Sequence, residues 1–170
     1  MGRETAMLFV DAQNLVIGAK QYESDGLDYD INKLVDALTN DYDLIRGYWF
    51  DSHEPGKRDE KDDFYAFLQT NGFRVESTVL SSDEGKFKEK EADIRLATEL
   101  IAHGYNGSYD RAILVTGDRD FRSAIRHVQD QGKTVTVAAF REPMAEQLRR
   151  TADRYVYLDD LADAIELQRS

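Results

Sequence analysis

Short apolar runs alternate with amphipathic segments along the whole chain, and this alternation limits the fold more than any other feature of the sequence. The runs predict β-strands at residues 6–10, 44–50, 73–80, 112–116, 134–140 and 155–158. Strands separated by helices of ordinary length are typical of βαβ units and a mostly parallel sheet. We therefore predict an α/β fold.

Apolar residues at helical spacing predict the helices that separate these strands. The predicted helices surround residues 31–38, 64–68, 94–101 and 121–128. Pro143 is predicted to open a last internal helix, because a proline at the first helical position loses no hydrogen bond there. Right-handed crossovers then place the loops that follow the strands on one edge of the sheet.

The length and composition of the chain fit a single domain covering residues 1–170. The sequence is 41% hydrophobic and has no cysteine, which excludes disulfides, thiolate metal sites and a thiol nucleophile. The apolar run at residues 6–10 is far too short for a signal peptide or a membrane span. We expect a cytoplasmic protein that has no membrane partner.

The formal net charge of −11 is unusual for a protein that binds nucleic acid, since such proteins are normally basic. The excess acid is mostly Asp, and Arg outnumbers Lys. This pattern suits a surface that stays hydrated in concentrated salt, where charge repulsion is screened over a few Å. We expect a halophilic source, although an ordinary acidic protein has the same composition.

Acidic residues follow two of the predicted strands directly. Asp11 follows the first strand, and Asp118 and Asp120 follow the fourth. If the strand order is 3-2-1-4-5, the first and fourth strands are neighbours where the order reverses, which is where open α/β sheets bind ligands. Lys90 and Asp93, three residues apart, share a helix face and would point into the same crevice.

Carboxylates that converge in this way repel one another unless a cation lies between them. A set of oxygen ligands without sulfur favours Mg²⁺ or Mn²⁺, and such an ion polarises a phosphate and acidifies a bound water. The sequence therefore predicts phosphodiester hydrolysis. The predicted metal ligands are Asp11, Asp93, Asp118 and Asp120, and Lys90 completes the predicted catalytic set.

Each of these acids also has a simpler structural explanation. Asp118 is equally well placed to cap the helix that follows it. Asp120 complements the positive end of that helix, and Asp93 alone would be a solvated surface acid. Asp11 is harder to explain in this way, because a carboxylate that closes a buried strand is costly unless it is paired or metal-bound.

The chain resembles the NYN domain, a branch of the PIN-like ribonuclease fold, and in particular its LabA-like members. The resemblance covers nearly the whole chain. The matching segments are FVDAQNL at 9–15, KEAD at 90–93, LVTGDRDF at 114–121, GKTVTVAAF at 132–140 and ADRYVYL at 152–158. The combination of a strand-borne DxxN with TGDxDF is fairly specific, whereas KxxD alone is weak.

The resemblance implies a three-layer sandwich around a central, mostly parallel sheet of order 3-2-1-4-5. It implies an acidic pocket that binds Mg²⁺ or Mn²⁺ and cleaves single-stranded RNA. The four acids named above match the acidic positions of the family, with Asn14 and Thr116 as polar support. Taken alone, Asn14 would be a cap or turn residue, and Thr116 a strand-end residue bonded to backbone.

Basic residues near the predicted site would hold the phosphate backbone of the RNA. Together with the two polar residues they make up the predicted substrate-binding set: Asn14, Thr116, Lys86, Lys88, Arg119 and Arg141. Ordinary surface ion pairing is the preferred interpretation of Arg122, Arg126 and Arg149. Tyr48 or Trp49, at the end of the second strand, is a candidate for stacking on a base.

Two functions of other classes compete with a ribonuclease. One is a regulatory, RNA-binding or interaction module that keeps the fold without catalysis. The other is a nucleotide-binding protein, which the sequence disfavours because neither GxGxxG nor a P-loop follows the first strand. The oligomeric state is left open, and a homo-oligomer is compatible with the sequence.

Overall fold

A six-stranded parallel sheet forms the centre of the fold. The computed structural model describes residues 2–80 and 85–168, and for residues 85–89 it describes the backbone only. The strands are β1 (Thr5–Asp11), β2 (Asp43–His53), β3 (Phe73–Val79), β4 (Arg111–Val115), β5 (Thr134–Ala139) and β6 (Arg154–Tyr157).

The strand order is β3-β2-β1-β4-β5-β6. This confirms the predicted order 3-2-1-4-5, and β6 extends the sheet beyond β5. The chain builds outward from β1 to β3 on one side and from β4 to β6 on the other, so the order reverses between β1 and β4. A crevice at the carboxyl ends of these two strands follows from that reversal.

In the part of the chain that the structure describes, seven α-helices connect and flank the strands. They are α1 (Ala12–Gln21), α2 (Ile31–Thr39), α3 (Asp62–Thr70), α4 (Gly85–Tyr105), α5 (Arg122–Asp130), α6 (Glu146–Thr151) and α7 (Ala162–Ile165). No described helix combines the length and the apolar character that crossing a bilayer requires.

Helix α1 was not predicted from the sequence, because its apolar pattern is irregular. Leu15 and Ala19 are buried against the sheet, whereas the neighbouring Val16 and Ile17 are exposed. The prediction that Pro143 opens a helix is wrong, since α6 begins at Glu146. Residues 141–143 form a turn instead. A backbone hydrogen bond from Ala145 to Gly117 fixes the segment between this turn and α6.

Helices cover both faces of the sheet, which confirms the three-layer sandwich. Alternate residues of β1 point to opposite sides: Leu8 and Val10 pack with α1, α2, α3 and α7. Met7 and Phe9 pack with α4, α5 and α6 on the other side. Because both faces are buried, the central strands read as continuous apolar runs in the sequence.

The register of the central strands aligns their carboxyl ends. Asp11 of β1 lies opposite Phe50 of β2, and Val10 lies opposite Val115 of β4. The residues that follow β1, β2 and β4 therefore meet at one edge of the sheet.

Leu100 on α4 is fully buried and Ile94 on the same helix is 64% exposed, which provides a matched pair of substitutions. We expect Leu100→Ala to lower the free energy of unfolding by about 2–5 kcal/mol, because it leaves a cavity beneath the helix. Ile94→Ala should change it by less than about 0.5 kcal/mol. Urea denaturation followed by circular dichroism measures both. Equal losses in the two variants would contradict the described packing of α4.

Candidate functional site

The carboxylate of Asp11 is fixed at the junction of β1, α1 and β4. Its Oδ1 accepts the backbone N–H of Asn14 at 3.3 Å, which caps α1. Its Oδ2 accepts the hydroxyl of Thr116 at 2.9 Å. Asp11 is only 8% exposed, so both oxygens are held in a buried position by donors that carry no charge.

Asn14 and Thr116 tie the two strand ends together. The side-chain Oδ1 of Asn14 accepts the backbone N–H of Gly117 at 2.9 Å. Thr116, which is fully buried, accepts the backbone N–H of Asp118 at 3.2 Å through its Oγ1. Both residues thus give polar support to the acids, while their contact with substrate stays a prediction.

Asp118 is half-buried and caps a short 3-10 turn, Arg119–Phe121. Its Oδ1 accepts the backbone N–H of Asp120 at 2.9 Å. The capping interpretation of Asp118 is therefore correct, but a cap occupies one of its two oxygens and leaves ligation open. Asp120 itself is exposed.

Gly117 holds the Asp118 loop against the segment before α6. A Cβ on Gly117 would lie 2.5 Å from the carbonyl oxygen of Pro143, a contact that backbone on both sides cannot relieve. The carbonyl of Gly117 accepts the backbone N–H of Ala145 at 2.9 Å. The TGD segment therefore requires glycine for close approach, a contact between distant segments that no local sequence pattern predicts.

Burial, and after it two neighbouring acids, determine the electrostatics of Asp11. Burial raises the pKa of Asp11 from 3.8 to about 6, against the lowering effect of the hydrogen bonds from Thr116 and Asn14. The negative charges of Asp118 and Asp51 raise that pKa further. The charged form of Asp11 is therefore disfavoured by its burial and by its two acidic neighbours.

Asp51 is a site residue that the sequence analysis missed. It lies near the carboxyl end of β2, where its Oδ2 accepts hydrogen bonds from Lys61 Nζ at 2.9 Å and from the Tyr65 hydroxyl at 2.8 Å. Its charge also contributes to raising the pKa of Tyr29, after burial, to about 12. The available signal was its position just past an apolar strand segment, the same position that drew attention to Asp11.

Lys90 and Asp93 lie one turn apart on α4, where Lys90 is exposed and Asp93 is half-buried. Their convergence with Asp11 and Asp118 stays a prediction. The backbone of Lys86 and Lys88 is part of the same helix, and the structure does not describe their side chains.

Arg141, just after β5, is engaged by its own chain. Its guanidinium lies 3.5 Å from Asp160 and 4.5 Å from the ring centre of Tyr157. Arg119 is exposed in the turn that follows Asp118. These two predicted substrate contacts therefore differ: the cation of Arg141 has acidic and aromatic partners, and that of Arg119 faces solvent.

The base-stacking prediction is wrong for both aromatic residues. Tyr48 is 2% exposed and Trp49 is 1% exposed. Because side chains alternate along β2, each packs into the core on its own face of the sheet.

The chemistry of the donor set fits a hard divalent cation. Among the described side chains, no group of three or more Asp, Glu or His residues is placed to hold a metal ion by itself. Mg²⁺ commonly takes only one or two carboxylates, with the remaining ligands supplied by water and substrate phosphates. Asp11 and Asp118, two mutually repelling oxygen donors at one crevice, match that requirement.

Comparison with known proteins agrees with the resemblance noted in the sequence. The model of the NYN domain family matches residues 5–159. The chain is 26% identical over 167 residues to the low amplitude and bright protein LabA of Synechococcus elongatus, covering 94% of this chain and 86% of that protein. Its fold is similar to the crystal structure of a protein of unknown function from Vibrio parahaemolyticus, with a TM-score of 0.76 and 23% identity over 97% of each chain.

The raised pKa of Asp11 predicts a pH-dependent effect of Asp11→Asn on the metal-free protein. The folded protein binds this proton more tightly than the unfolded chain does, so the contribution of Asp11 to the free energy of unfolding should fall as pH rises from about 4 to about 6. The variant lacks this loss. Relative to the wild type, it should gain on the order of 3 kcal/mol between pH 4 and pH 7.

Denaturation in chelator at a series of pH values measures this difference. Any cost of the altered hydrogen bonds is the same at every pH and shifts the whole curve. Asp36→Asn, at an exposed position on α2, is the matched control and should run parallel to the wild type. An Asp11→Asn curve that is equally parallel would contradict the buried, repelled carboxylate.

Proposed function

This chain belongs to the NYN domain family, a branch of the PIN-like nuclease superfamily, and on that premise we propose that it is a metal-dependent ribonuclease. Its reaction would be hydrolysis of phosphodiester bonds in single-stranded RNA. The buried Asp11, facing Asp118 where the strand order reverses, is the observation that carries the proposal.

This pair is informative because the described side chains provide no counter-charge for it. No Lys, Arg or His whose side chain is described forms an ion pair with Asp11 or Asp118. A structural role for Asp11 would normally come with such a partner, because a buried unpaired carboxylate is costly. Asp51, by contrast, is paired with Lys61. A cation that binds with the substrate would supply the counter-charge that Asp11 lacks among the described side chains.

Asp11 and Asp118 are the residues that would hold Mg²⁺ or Mn²⁺. When bound, the ion supplies polarisation of a phosphate oxygen and acidification of a water molecule. The chain keeps the two carboxylates in place: Thr116 and the Asn14 N–H fix Asp11, and the Asp120 N–H fixes Asp118. Rigid ligands of this kind reduce the reorganisation that the reaction requires.

The remaining predicted catalytic residues have narrower roles. Asp93 and Asp120 would hold the cation directly or through water, and one of them would position the attacking water. Lys90, one turn before Asp93 on an exposed surface, would contact the scissile phosphate and stabilise the charge that develops on it. Arg119 and Arg141, with Lys86 and Lys88, would contact the RNA backbone.

A non-catalytic RNA-binding or interaction module with the same fold is the second candidate. The observation that favours it is that no group of three described acids or histidines is assembled to hold a metal ion. The two candidates differ in what happens to bound RNA, since only the first breaks a phosphodiester bond.

Purified protein should cleave a labelled single-stranded RNA when Mg²⁺ or Mn²⁺ is present, and chelator should stop it. Asp11→Asn and Asp118→Asn should each lower the rate by more than about 100-fold, because changes beyond the direct ligands already cost 10–100-fold in comparable sites. Lys90→Ala should lower turnover while leaving Mn²⁺ affinity unchanged. Gel-resolved cleavage and calorimetric titration with Mn²⁺ measure these effects.

The cleavage assay includes a salt series, because the predicted halophilic source implies a protein that folds in concentrated salt. Asp36→Asn is the matched control, since it removes an exposed acid on α2, a helix that carries none of the predicted site residues. Folded protein that binds Mn²⁺ and leaves RNA intact at every salt concentration would support the non-catalytic module. Cleavage that survives Asp118→Asn would come from a contaminating nuclease and would contradict the proposal.

A further inference from the structure

Three arginines lie on one face of the fold, next to Asp118. Arg119 lies in the 3-10 turn after Asp118, and Arg122 and Arg126 follow on α5. Spacings of three and four residues place them on the same side of the helix. They line a pocket of about 430 Å³ whose other lining residues are Asp120, Ser123 and Gln147. We call the three side chains the arginine row.

The arginine row has no acidic partner among the described side chains of a protein that is rich in acid. None of its three side chains forms an ion pair or hydrogen bond with any described residue. The chain has 33 acidic and 22 basic residues, and described ion pairs engage most of its other arginines. These are Arg3, Arg58, Arg74, Arg95, Arg111, Arg141, Arg149 and Arg150.

The interpretation of Arg122 and Arg126 as ordinary surface ion pairs is therefore wrong. It is correct for Arg149, whose guanidinium lies 3.6 Å from Glu146. The pocket contains three positive charges and one carboxylate, that of Asp120. Like charges on one helix face repel one another, so the row gains stability when a polyanion binds there.

We propose that the arginine row binds successive backbone phosphates of a single-stranded nucleic acid that extends from the acidic site. The proposal rests on the proposed function for its starting point at Asp118. The row covers about 11 Å along the turn and helix, which is long enough for more than one phosphate. A guanidinium suits this role, because its fork of donors pairs with phosphate oxygens in a bidentate manner.

The path of the bound nucleic acid follows from the same contacts. A path over β5 would depend on Arg141, whose guanidinium is already shared between Asp160 and Tyr157. A path over α5 meets three cations whose only acidic neighbour in the pocket is Asp120, itself a predicted metal-site residue. The α5 path costs no existing ion pair, so the structure favours it.

Binding can be measured apart from cleavage in an Asp118→Asn background with chelator present, so that no Mg²⁺ competes with the monovalent salt for the phosphates. Fluorescence anisotropy of a labelled ten-nucleotide RNA, over a series of salt concentrations, gives the slope of log K against log salt. Each phosphate contact contributes about 0.7 to that slope for a single strand. The double variant Arg122→Gln/Arg126→Gln should therefore show a slope shallower by about 1.4 and binding about 25-fold weaker at 0.1 M salt.

The matched control is Arg3→Gln/Arg74→Gln, which removes the same charge from the opposite edge of the sheet. Both of its residues lie at the amino ends of strands and pair with surface acids. This control should keep the slope of its parent. Single-stranded DNA of the same sequence should lose the same slope in the Arg122/Arg126 double variant, since the row contacts phosphate and not the 2′-hydroxyl.

The outcomes separate this inference from the proposed function. If the double variant shows the shallower salt slope and the unsubstituted protein does not cleave RNA, the binding role of the arginine row is supported and the proposed nuclease activity is contradicted. Cleavage by a protein whose double variant keeps both slope and affinity would overturn the row alone. Three other results would also overturn the binding role of the row. They are an equal loss of slope in the Arg3/Arg74 control, a loss of slope with RNA but not with DNA, and no binding at any salt concentration. A thermal melt verifies that the double variant is folded.

Discussion

The hydrogen bond from the Thr116 hydroxyl to Asp11 Oδ2, at 2.9 Å, is the contact on which the candidate site depends. It joins the ends of two strands that are neighbours in space and separated by 105 positions in the chain. The same threonine accepts the Asp118 N–H, and Asn14 accepts the Gly117 N–H. One small network therefore fixes both the buried carboxylate and the loop that carries the second acid.

The distribution of charge follows a consistent pattern around that network. Asp51 is neutralised by Lys61, and most surface arginines have acidic partners. Asp11 and Asp118 have no such partner among the described side chains, and neither has the adjacent arginine row. Unpaired acids next to unpaired cations suit a ligand that brings both charges, as a metal ion and a phosphate chain do together.

The sequence was sufficient to predict the strands, because buried parallel strands leave continuous apolar runs, and the motifs that follow them indicated the family. The strand order was predicted from the resemblance to that family and not from the apolar runs. Other features depend on contacts that local patterns do not contain. Helix α1 buries little more than Leu15, Ala19 and small residues, so its periodicity is weak. The turn at Pro143 is set by the close approach to Gly117. Whether Arg122 and Arg126 form ion pairs depends on elements distant in the sequence. Asp51 lies in no recognisable sequence motif.

The central claim is that Asp11 and Asp118 together bind a divalent cation at the reversal of the strand order. A crystal soaked in Mn²⁺ tests it most directly, through anomalous scattering at the strand ends. The account predicts an anomalous peak at about 2.0–2.3 Å from carboxylate oxygens of both residues, lost in a crystal of Asp118→Asn. A well-ordered crystal with no peak there, or with Mn²⁺ bound only elsewhere, would contradict the account.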